Sequence, residues 1–341
     1  MLTHRPRRLR STAAIRGLVR ETRVHPEQLV LPAFVQEGES GSTPIDAMPG
    51  VHRHTIDSLL ALIDEAMRLG VHSFAHFPKV ADRLKTPNAR EALRPETLAC
   101  RAFRACRERF PEATLIADIA LDPYSPDGHD GLVRDGVVVN DDTVAMLADM
   151  AVVHAEAGAN ILAPSDMMDG RVAAIRAALD SKGLTDTLIM SYAVKYASAF
   201  YGPFRGALDS APKPRGGVPS DKKTYQMDPA NTDEALREAA LDVEEGADIV
   251  MVKPGLPYLD VIHRVSRAIG APVAAYQVSG EYAMLRAAAD AGGIAYTDAL
   301  RETIVALARG GARIILTYGA LDYARAWHDD NRSTNQGSTH T

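Results

Sequence analysis

Eight short apolar runs, separated by segments with a helical pattern, constrain the fold of this 341-residue chain more than any other feature. Each run is nearly continuous in hydrophobicity and does not alternate with polar residues. This pattern is typical of strands that are buried on both faces of a parallel sheet. The runs cover residues 29–35, 71–78, 113–121, 160–165, 187–194, 248–254, 272–279 and 312–320.

The segments between these runs predict the helices that cover the strands. Apolar residues recur there at three- and four-residue spacing, as in 56–69, 142–157, 233–245 and 298–308. Several of these segments end in a glycine suited to a left-handed helix cap, namely Gly70, Gly158, Gly246 and Gly311. No G-x-G-x-x-G motif follows the first run, so the sequence predicts an α/β protein with a (β/α)8 TIM barrel rather than an open nucleotide-binding sheet.

Three segments are predicted to lie outside the regular barrel of residues 29–326. Residues 1–28 form an extended, basic N-terminal arm. Residues 202–223 are rich in glycine, proline and serine, and we expect an active-site lid without regular structure there. Residues 327–341 form a polar tail that we expect to be disordered.

Composition and charge restrict the class of partner. The net charge of −6 gives no basic field for a nucleic acid, and no stretch approaches the roughly 18 apolar residues of a membrane span. Cys100 and Cys106 cannot build a disulfide framework, and no apolar signal segment follows the basic N-terminus. We therefore expect a cytoplasmic protein that acts on small molecules.

Two lysines stand at the ends of adjacent predicted strands, where barrel enzymes carry their catalytic residues. The chain has only eight lysines among its 38 basic residues, and Lys195 and Lys253 end the fifth and sixth runs. Loss of hydration and a second cation nearby lower the pKa of an amine, which makes it available for a Schiff base. A structural ion pair with a strand-end carboxylate is the alternative for either lysine alone. Two such lysines on adjacent strands favour the catalytic interpretation.

Other polar residues at strand ends are candidates for the same site. They are Asp118, Asp122, Ser165, Asp166, Tyr276, Ser279 and Tyr318. The segment after the third run also contains Asp127, His129 and Asp130. Clustered carboxylates can bind a hard cation or transfer protons, but the same residues form ordinary turns, and a turn is the better interpretation of this motif alone.

The predicted lid contributes cations and aromatic rings. Closing it would bring Arg205, Lys222 and Lys223 over a substrate carboxylate. Tyr201, Phe204 and Tyr225 would supply apolar cover. A solvated loop is the alternative, and the density of aromatic residues in a chain with only 6% of them favours a lid.

Several segments resemble the signature segments of the porphobilinogen synthase family, also called 5-aminolevulinate dehydratase. The clearest are MSYAVKYASAFYGPFR at 190–205, YQMDP at 225–229, VMVKPG at 250–255 and YQVSGEY at 276–282. Shorter matches stand at 5–10, 47–50, 163–170 and 316–318, and the resemblance ends at about residue 326.

The resemblance implies that two molecules of 5-aminolevulinate condense to porphobilinogen in tetrapyrrole synthesis. It assigns the two Schiff bases to Lys195 and Lys253, and a place beside the reacting amine to Asp118. It assigns Arg205 and Lys222 to bind the carboxylate of one substrate, and Ser279 and Tyr318 to bind that of the other. Further substrate contacts are implied for Tyr201, Phe204, Tyr276 and Ser165. Some relatives carry arginine at the position of Lys222, so neighbouring Lys223 stays a competitor for its role.

The metal is where the sequence departs from zinc-type relatives. Those carry three cysteines where this chain has Ala120, Asp122 and Asp130, and zinc without thiolates is not expected here. The resemblance is to an aspartate-bearing subgroup without zinc, in which magnesium activates. It places the magnesium ligand at Glu238, with Asp169 as an outer-shell partner, and leaves open whether magnesium is required.

The resemblance also implies a homo-oligomer in which the N-terminal arm embraces a neighbouring subunit. An octamer is expected, with a hexamer as the alternative. Two other functions fit parts of the pattern. A class I aldolase also has a Schiff-base lysine at a strand end, although the second lysine argues against it. A non-catalytic barrel that serves as a binding protein predicts disrupted strand-end residues, whereas both lysines and Ser279 are intact.

Overall fold

The computed structural model describes residues 2–213 and 217–336 of the chain. Within these ranges the strands are β1 (Leu29–Val35), β2 (Ser42–Pro44), β3 (His52–His54), β4 (Ser73–Pro78), β5 (Thr114–Ile119), β6 (Val133–Arg134), β7 (Val137–Val138), β8 (Ile161–Pro164), β9 (Leu188–Lys195), β10 (Ile249–Lys253), β11 (Val273–Gln277) and β12 (Ile314–Thr317). The α-helices are α1 (Ala13–Leu18), α2 (Ile56–Arg68), α3 (Leu98–Arg109), α4 (Asp141–Glu156), α5 (Arg171–Ser181), α6 (Gly202–Leu208), α7 (Asp233–Glu244), α8 (Leu259–Ala268), α9 (Ser279–Asp290), α10 (Tyr296–Gly310) and α11 (Ala320–Gln336). None of these described helices has the length and hydropathy needed to cross a membrane.

Eight of the strands close into a parallel barrel. In the order β1, β4, β5, β8, β9, β10, β11 and β12, each strand pairs in parallel with the next. The barrel closes where β12 pairs with β1, with Ile315 opposite Leu29. These strands correspond to the eight apolar runs, so the prediction of a (β/α)8 barrel is confirmed. The short strands β2, β3, β6 and β7 are not among the predicted ones.

The barrel strands are buried on both faces, as their apolar runs predict. On β1, all seven residues are buried. Val30 and Phe34 belong to the cluster inside the barrel, whereas Leu29 and Leu31 belong to the larger cluster between the strands and the helices. Both faces lose contact with water, so neither face has a reason to be polar.

A one-residue bulge in β9 decides the direction of Lys195. Between Ser191 and Val194, three steps along β9 match two steps along β10. Side chains alternate between the two faces of a strand, so the extra residue turns Lys195 to the inner face, on which Tyr192 also lies. Lys195 thereby lies opposite Lys253 of β10 in the register of the two strands.

The predicted lid contains more regular structure than the sequence indicates. Residues 202–208 form α6, so the expectation of a segment without regular structure is wrong for that part. Pro203 stands in the first turn, where its missing N–H costs nothing. Phe204 packs its ring on Phe34 and Phe77, with centroids 5.5 and 5.1 Å away. Residues 214–216 of the predicted lid lie outside the described residues.

Both chain ends contain helical segments. In the arm, Pro6–Arg10 form a short 3-10 helix ahead of α1, and residues 2–14 are exposed. The disorder expected for the tail is wrong for residues 327–336, which continue α11. The Trp327 ring packs edge-on against His25 at a centroid distance of 5.7 Å, a contact that joins this part of the helix to the end of the N-terminal arm. Residues 337–341 of the tail lie outside the described residues.

A buried ion pair fastens α5 to α7 and β9. Arg171 donates from Nη1 to Asp242 Oδ1 at 3.1 Å and from Nη2 to Asp242 Oδ2 at 3.0 Å, and it also donates to Ser191 Oγ at 3.0 Å. Both charged side chains are buried. A buried charge is costly unless it is paired, so each partner depends on the other.

We expect Arg171→Ala to lower the free energy of unfolding by about 3–5 kcal/mol, because the Asp242 carboxylate would stay buried without its cation. Arg68→Ala, which removes an exposed pair with Asp64, should cost less than about 1 kcal/mol. Denaturant unfolding of the wild type and both variants measures the two losses. Equal losses would contradict the role of the buried pair.

Candidate active site

The polar strand ends meet in one cleft that has two adjacent compartments. The lysine–carboxylate compartment is lined by Phe77, Asp118, Asp122, Asp130, Ser165, Lys195, Arg205, Ser210, Lys222 and Gln226. The aromatic compartment is lined by Tyr276, Val278, Ser279 and Tyr318. The residues shared by both are Tyr201, Phe204 and Lys253. The residues to which the family resemblance assigns catalysis or substrate contact therefore all line this cleft. The strand-end candidate Asp166 does not line it, and its Oδ2 lies 3.6 Å from Arg171 Nε.

Lys195 has a carboxylate partner within the cleft. Its Nζ donates to Asp130 Oδ2 at 2.9 Å and to the carbonyl oxygen of Ser165. Lys222 Nζ donates to the other oxygen of the same carboxylate, Asp130 Oδ1, at 2.6 Å and lies 3.8 Å from Asp122 Oδ2. Burial acts to raise the pKa of Asp130, but the two ammonium groups hold it well below its usual range. One carboxylate thus bridges two cations.

Lys253 lies among aromatic rings and makes no ion pair with a described residue. Burial, followed by repulsion from Lys195, lowers the pKa of Lys253 to about 7, against the attraction of nearby aspartates. Near neutral pH a large share of this side chain is therefore free amine, the form that attacks a carbonyl. Its Nζ lies 4.9 to 5.4 Å from the ring centroids of Tyr192, Tyr276, Tyr201 and Phe204.

Asp118 faces the two lysines from β5. Its Oδ1 is buried and has no hydrogen-bond partner among the described residues. Burial, followed by repulsion from Asp122, raises the pKa of Asp118 to about 7, while Ser165 and the lysines act in the opposite direction. A carboxyl group that titrates near neutrality can both accept and donate a proton near pH 7.

The aromatic compartment gathers hydroxyl groups at the start of α9. Ser279 Oγ accepts a hydrogen bond from the Phe204 N–H at 3.0 Å and donates to the Phe200 carbonyl at 3.4 Å. The hydroxyl oxygens of Tyr276 and Tyr318 are hydrogen-bonded to each other at 2.9 Å. Hydroxyl donors beside the positive end of a 12-residue helix suit a carboxylate ligand.

The structure separates the cations of the predicted lid. Lys222 is buried in the lysine–carboxylate compartment, whereas the Lys223 side chain is 76% exposed and lies 3.7 Å from Asp221. Arg205 lines the same compartment as Lys222, with its guanidinium carbon 5.8 Å from the centroid of Tyr201. Within the described residues Arg205 makes no ion pair. Of the two competing lysines, only Lys222 faces the cleft.

Glu238 and Asp169 lie outside the cleft. Glu238 is half-buried on α7 and lines a separate surface cavity, and Asp169 is exposed in the turn before α5. Burial, followed by repulsion from Asp242, raises the pKa of Glu238, and Asp169 adds to this effect. Among the described residues no group of three or more His, Cys, Asp or Glu side chains is arranged to hold a metal.

The residue pattern alone does not assign Asp130 or Tyr192 to the site, and it favours a turn for the segment that contains the strand-end candidate Asp122. Asp122 and Asp130 fit an ordinary turn in the sequence, yet both are buried beside Lys222. Asp122 directly follows the third predicted strand, and that position is the signal for a role in the site. Tyr192 contacts Lys253, but the bulge after it hides from the sequence that it shares a face with Lys195.

Comparisons with known proteins show what this chain is similar to. A family model described as delta-aminolevulinic acid dehydratase matches residues 3–326. The delta-aminolevulinic acid dehydratase of Bradyrhizobium diazoefficiens is 50% identical over 319 residues, which cover 94% of this chain and 89% of that protein. The chloroplastic protein of the same name from Chlamydomonas reinhardtii is 49% identical over 329 residues, which cover 95% of this chain and 84% of that one.

A solved structure is similar over the whole fold. It is the delta-aminolevulinic acid dehydratase (porphobilinogen synthase) of Toxoplasma gondii ME49 in complex with the reaction product porphobilinogen. Its sequence is 49% identical and its TM-score is 0.94, with 100% of this chain and 96% of that chain covered.

We expect Lys253→Met to raise stability near pH 6.5 by at least about 1 kcal/mol, because it removes a buried ammonium group. The folded-state pKa of Lys253, about 7, lies below its ordinary value of 10.5. The cost of burying the charge is therefore complete below about pH 7 and disappears as pH rises towards 10.5. Thermal unfolding at about pH 6.5 and pH 10 measures this change.

Lys182→Met is the matched control, because Lys182 is exposed and its replacement should leave the melting temperature unchanged at both pH values. A gain from Lys253→Met that is equal at both pH values would show that the buried ammonium is not its source.

Proposed function

This chain belongs to the delta-aminolevulinic acid dehydratase family, and we propose that it condenses two molecules of 5-aminolevulinate through Schiff bases on Lys195 and Lys253. The condensation to porphobilinogen, a step of tetrapyrrole synthesis, is the activity of this family. Membership decides against the class I aldolase and the non-catalytic barrel. The observation that carries the proposed chemistry is the register of β9 and β10, which sets two amines opposite each other in one cleft.

Lys253 is the stronger nucleophile of the two by its surroundings. Its amine has a pKa of about 7 and no carboxylate partner among the described residues. It adds to the keto carbon of one substrate, the keto oxygen leaves as water, and an imine joins the lysine nitrogen to the substrate. Lys195 does the same to the second substrate once the bound molecule displaces it from Asp130.

The two substrates are then joined by one C–N bond and one C–C bond. The amine of one molecule replaces the lysine nitrogen on the keto carbon of the other. A carbon beside that keto carbon attacks the imine carbon held by the other lysine. Both lysines are released as amines, and the two keto oxygens have left as two water molecules. Asp118, whose pKa is about 7, is placed to accept a proton from carbon or nitrogen and to return it.

The two compartments supply different partners for the two substrate carboxylates. For the molecule on Lys195, Arg205 offers a guanidinium that makes no ion pair with a described residue, and Lys222 faces the same compartment. For the molecule on Lys253, Ser279 and Tyr318 offer hydroxyl groups beside the start of α9. Tyr201, Phe204, Tyr276 and Ser165 complete the walls. Each substrate is thereby held at both its keto carbon and its carboxylate.

We expect borohydride reduction in the presence of 5-aminolevulinate to attach substrate to Lys253, Lys195 or both, because each imine is reduced to a stable amine. Lys253→Ala should lower turnover by roughly a thousandfold or more, and Lys182→Ala, at an exposed lysine, should not. Mass spectrometry of the labelled peptides and steady-state assays measure both. An unmodified Lys253 together with near wild-type turnover of the alanine variant would refute the mechanism.

Members of this family are in general metal-dependent, and we propose magnesium rather than zinc for this chain. At the position of the zinc cysteines, Ala120 offers no ligand, and Asp122 and Asp130 offer only hard oxygens. Both oxygens of Asp130 already accept from lysines. Glu238, with Asp169 in its outer shell, fits magnesium, which binds through one or two carboxylates and keeps several waters. When bound there, magnesium would neutralise the charge of Glu238 and of the nearby Asp169.

We expect a zinc-selective chelator to leave activity intact and EDTA to lower it only partly, because magnesium at Glu238 would act away from the reacting atoms. Glu238→Ala should make the enzyme indifferent to added magnesium, whereas Glu244→Ala, at an exposed position of the same helix, should keep the response. Metal analysis and assays with and without magnesium test this. A stoichiometric, required zinc would overturn the first expectation, and a full magnesium response of Glu238→Ala the second.

The proposed assembly is a homo-oligomer, expected to be an octamer. The exposed arm supports it, because Leu2, Leu9 and Leu18 are 71%, 56% and 83% exposed there, and apolar side chains gathered on an extended segment suit contact with a neighbouring subunit. The arm would then embrace that subunit. A cytoplasmic location stays a prediction.

A further inference from the structure

Glu281 is a fully buried carboxylate to which the proposed reaction gives no role. It lies in the first turn of α9 and is 0% exposed. Its Oε2 accepts from the Val278 N–H at 2.7 Å and from the Gly255 N–H at 3.3 Å, and its Oε1 accepts from the Leu256 N–H at 2.6 Å. Three backbone donors from two separate loops therefore converge on one side chain.

Each of the two loops carries one residue of the aromatic compartment. Gly255 and Leu256 follow Lys253 at the end of β10, and Val278 directly precedes Ser279. Glu281 therefore ties the segment that carries the amine to the turn that carries the hydroxyl. A carboxylate that accepts hydrogen bonds from both sides fixes their separation more tightly than packing alone.

The segments on either side of Glu281 pack closely against neighbouring backbone. A Cβ on Gly280 would lie 2.6 Å from the Phe200 carbonyl oxygen, and because this neighbour is backbone, it cannot move aside as a flexible side chain would. A Cβ on Gly255 would lie 2.8 Å from Leu307 Cδ2 and 3.1 Å from the Tyr276 carbonyl oxygen. Both segments that Glu281 ties together therefore also have little free space against the rest of the barrel.

Glu281 has no cation to neutralise it among the described residues. Burial raises its pKa to about 7, while the hydrogen bonds from Val278, Leu256 and Gly255 act in the opposite direction. The three donors thus stabilise the ionised form, and a side chain without two acceptor oxygens would leave buried N–H groups unpaired.

We propose that Glu281 is a positioning residue that sets the span between the Lys253 amine and the Ser279 hydroxyl, and thereby selects acids with the keto group at carbon 4. The inference rests on the proposed function, in which both groups hold the same substrate molecule. In 5-aminolevulinate the keto carbon is separated from the carboxylate carbon by two methylenes. A fixed span matches this length and disfavours an acid that is one methylene longer.

Borohydride trapping of two keto acids without the amine measures this selection directly. The probes are 4-oxopentanoate and 5-oxohexanoate, and the readout is the ratio of their adducts on Lys253 by mass spectrometry. One extra methylene in a shaped pocket costs about 10- to 200-fold, so the wild type should prefer 4-oxopentanoate by such a factor. Glu281→Gln keeps the shape but turns an NH2 group towards a backbone N–H, and it should lower the ratio roughly fivefold or more.

The matched control is Asp248→Asn at the opposite end of β10. Asp248 Oδ2 accepts the Ile189 N–H at 2.8 Å, so this variant also removes a carboxylate from a backbone donor. It should leave the ratio unchanged. Glu281→Asp keeps the charge but shortens the side chain by one methylene, and it should also lower the adduct ratio. If Glu281→Gln does not fold, the ratio is measured on Glu281→Asp instead.

The outcomes separate this inference from the function on which it rests. Absence of any wild-type adduct on Lys253 would overturn both. Trapping with the same ratio in the wild type and in a folded Glu281 variant would overturn the role of Glu281 alone. A ratio that falls in the Glu281 variants and not in Asp248→Asn supports it, because a general loss of stability would lower both adducts together.

Discussion

The transfer of the Lys253 amine out of water is the constraint on which the rest of the site depends. A closed parallel barrel buries both faces of β10 and leaves the strand end walled by aromatic rings. Burial there favours the neutral amine, and the neighbouring Lys195 adds to the effect. Asp130, a nearby carboxylate that could oppose this lowering of the Lys253 pKa, accepts hydrogen bonds from Lys195 and Lys222 instead. The same cleft therefore holds two lysines paired with Asp130 and one, Lys253, that makes no ion pair with a described residue.

The pairing of Lys195 and Lys222, but not of Lys253, also explains why the segment after β5 carries buried carboxylates. Asp122 and Asp130 lie beside Lys222, so ion pairs within the protein balance their negative charge. The cost of burying Asp130 is offset by hydrogen bonds from Lys195 and Lys222, and the negative charge of Asp122 in turn raises the pKa of Asp118.

Much of this arrangement is predictable because burial leaves a direct mark on the sequence. Strands that lose water on both faces read as continuous apolar runs, and a lysine at the end of such a run is conspicuous. The helix α6 and the end of α11 were not predictable in this way. Their polar and glycine-rich residues indicate loops, and only contacts with distant residues, such as Phe204 with Phe77 and Trp327 with His25, stabilise them as helices.

The sequence by itself determined the eight strands, the closed parallel architecture and the residue types that carry amine chemistry, because these depend on local hydrophobic pattern and on side-chain identity. Only the tertiary structure decided that Lys195 points into the barrel, because a single extra residue in β9 reverses the face on which it lies. It also decided that Asp130 pairs with Lys195 and Lys222 rather than with Lys253. A pKa depends on which charges lie within a few ångströms, and that proximity comes from segments far apart in the chain.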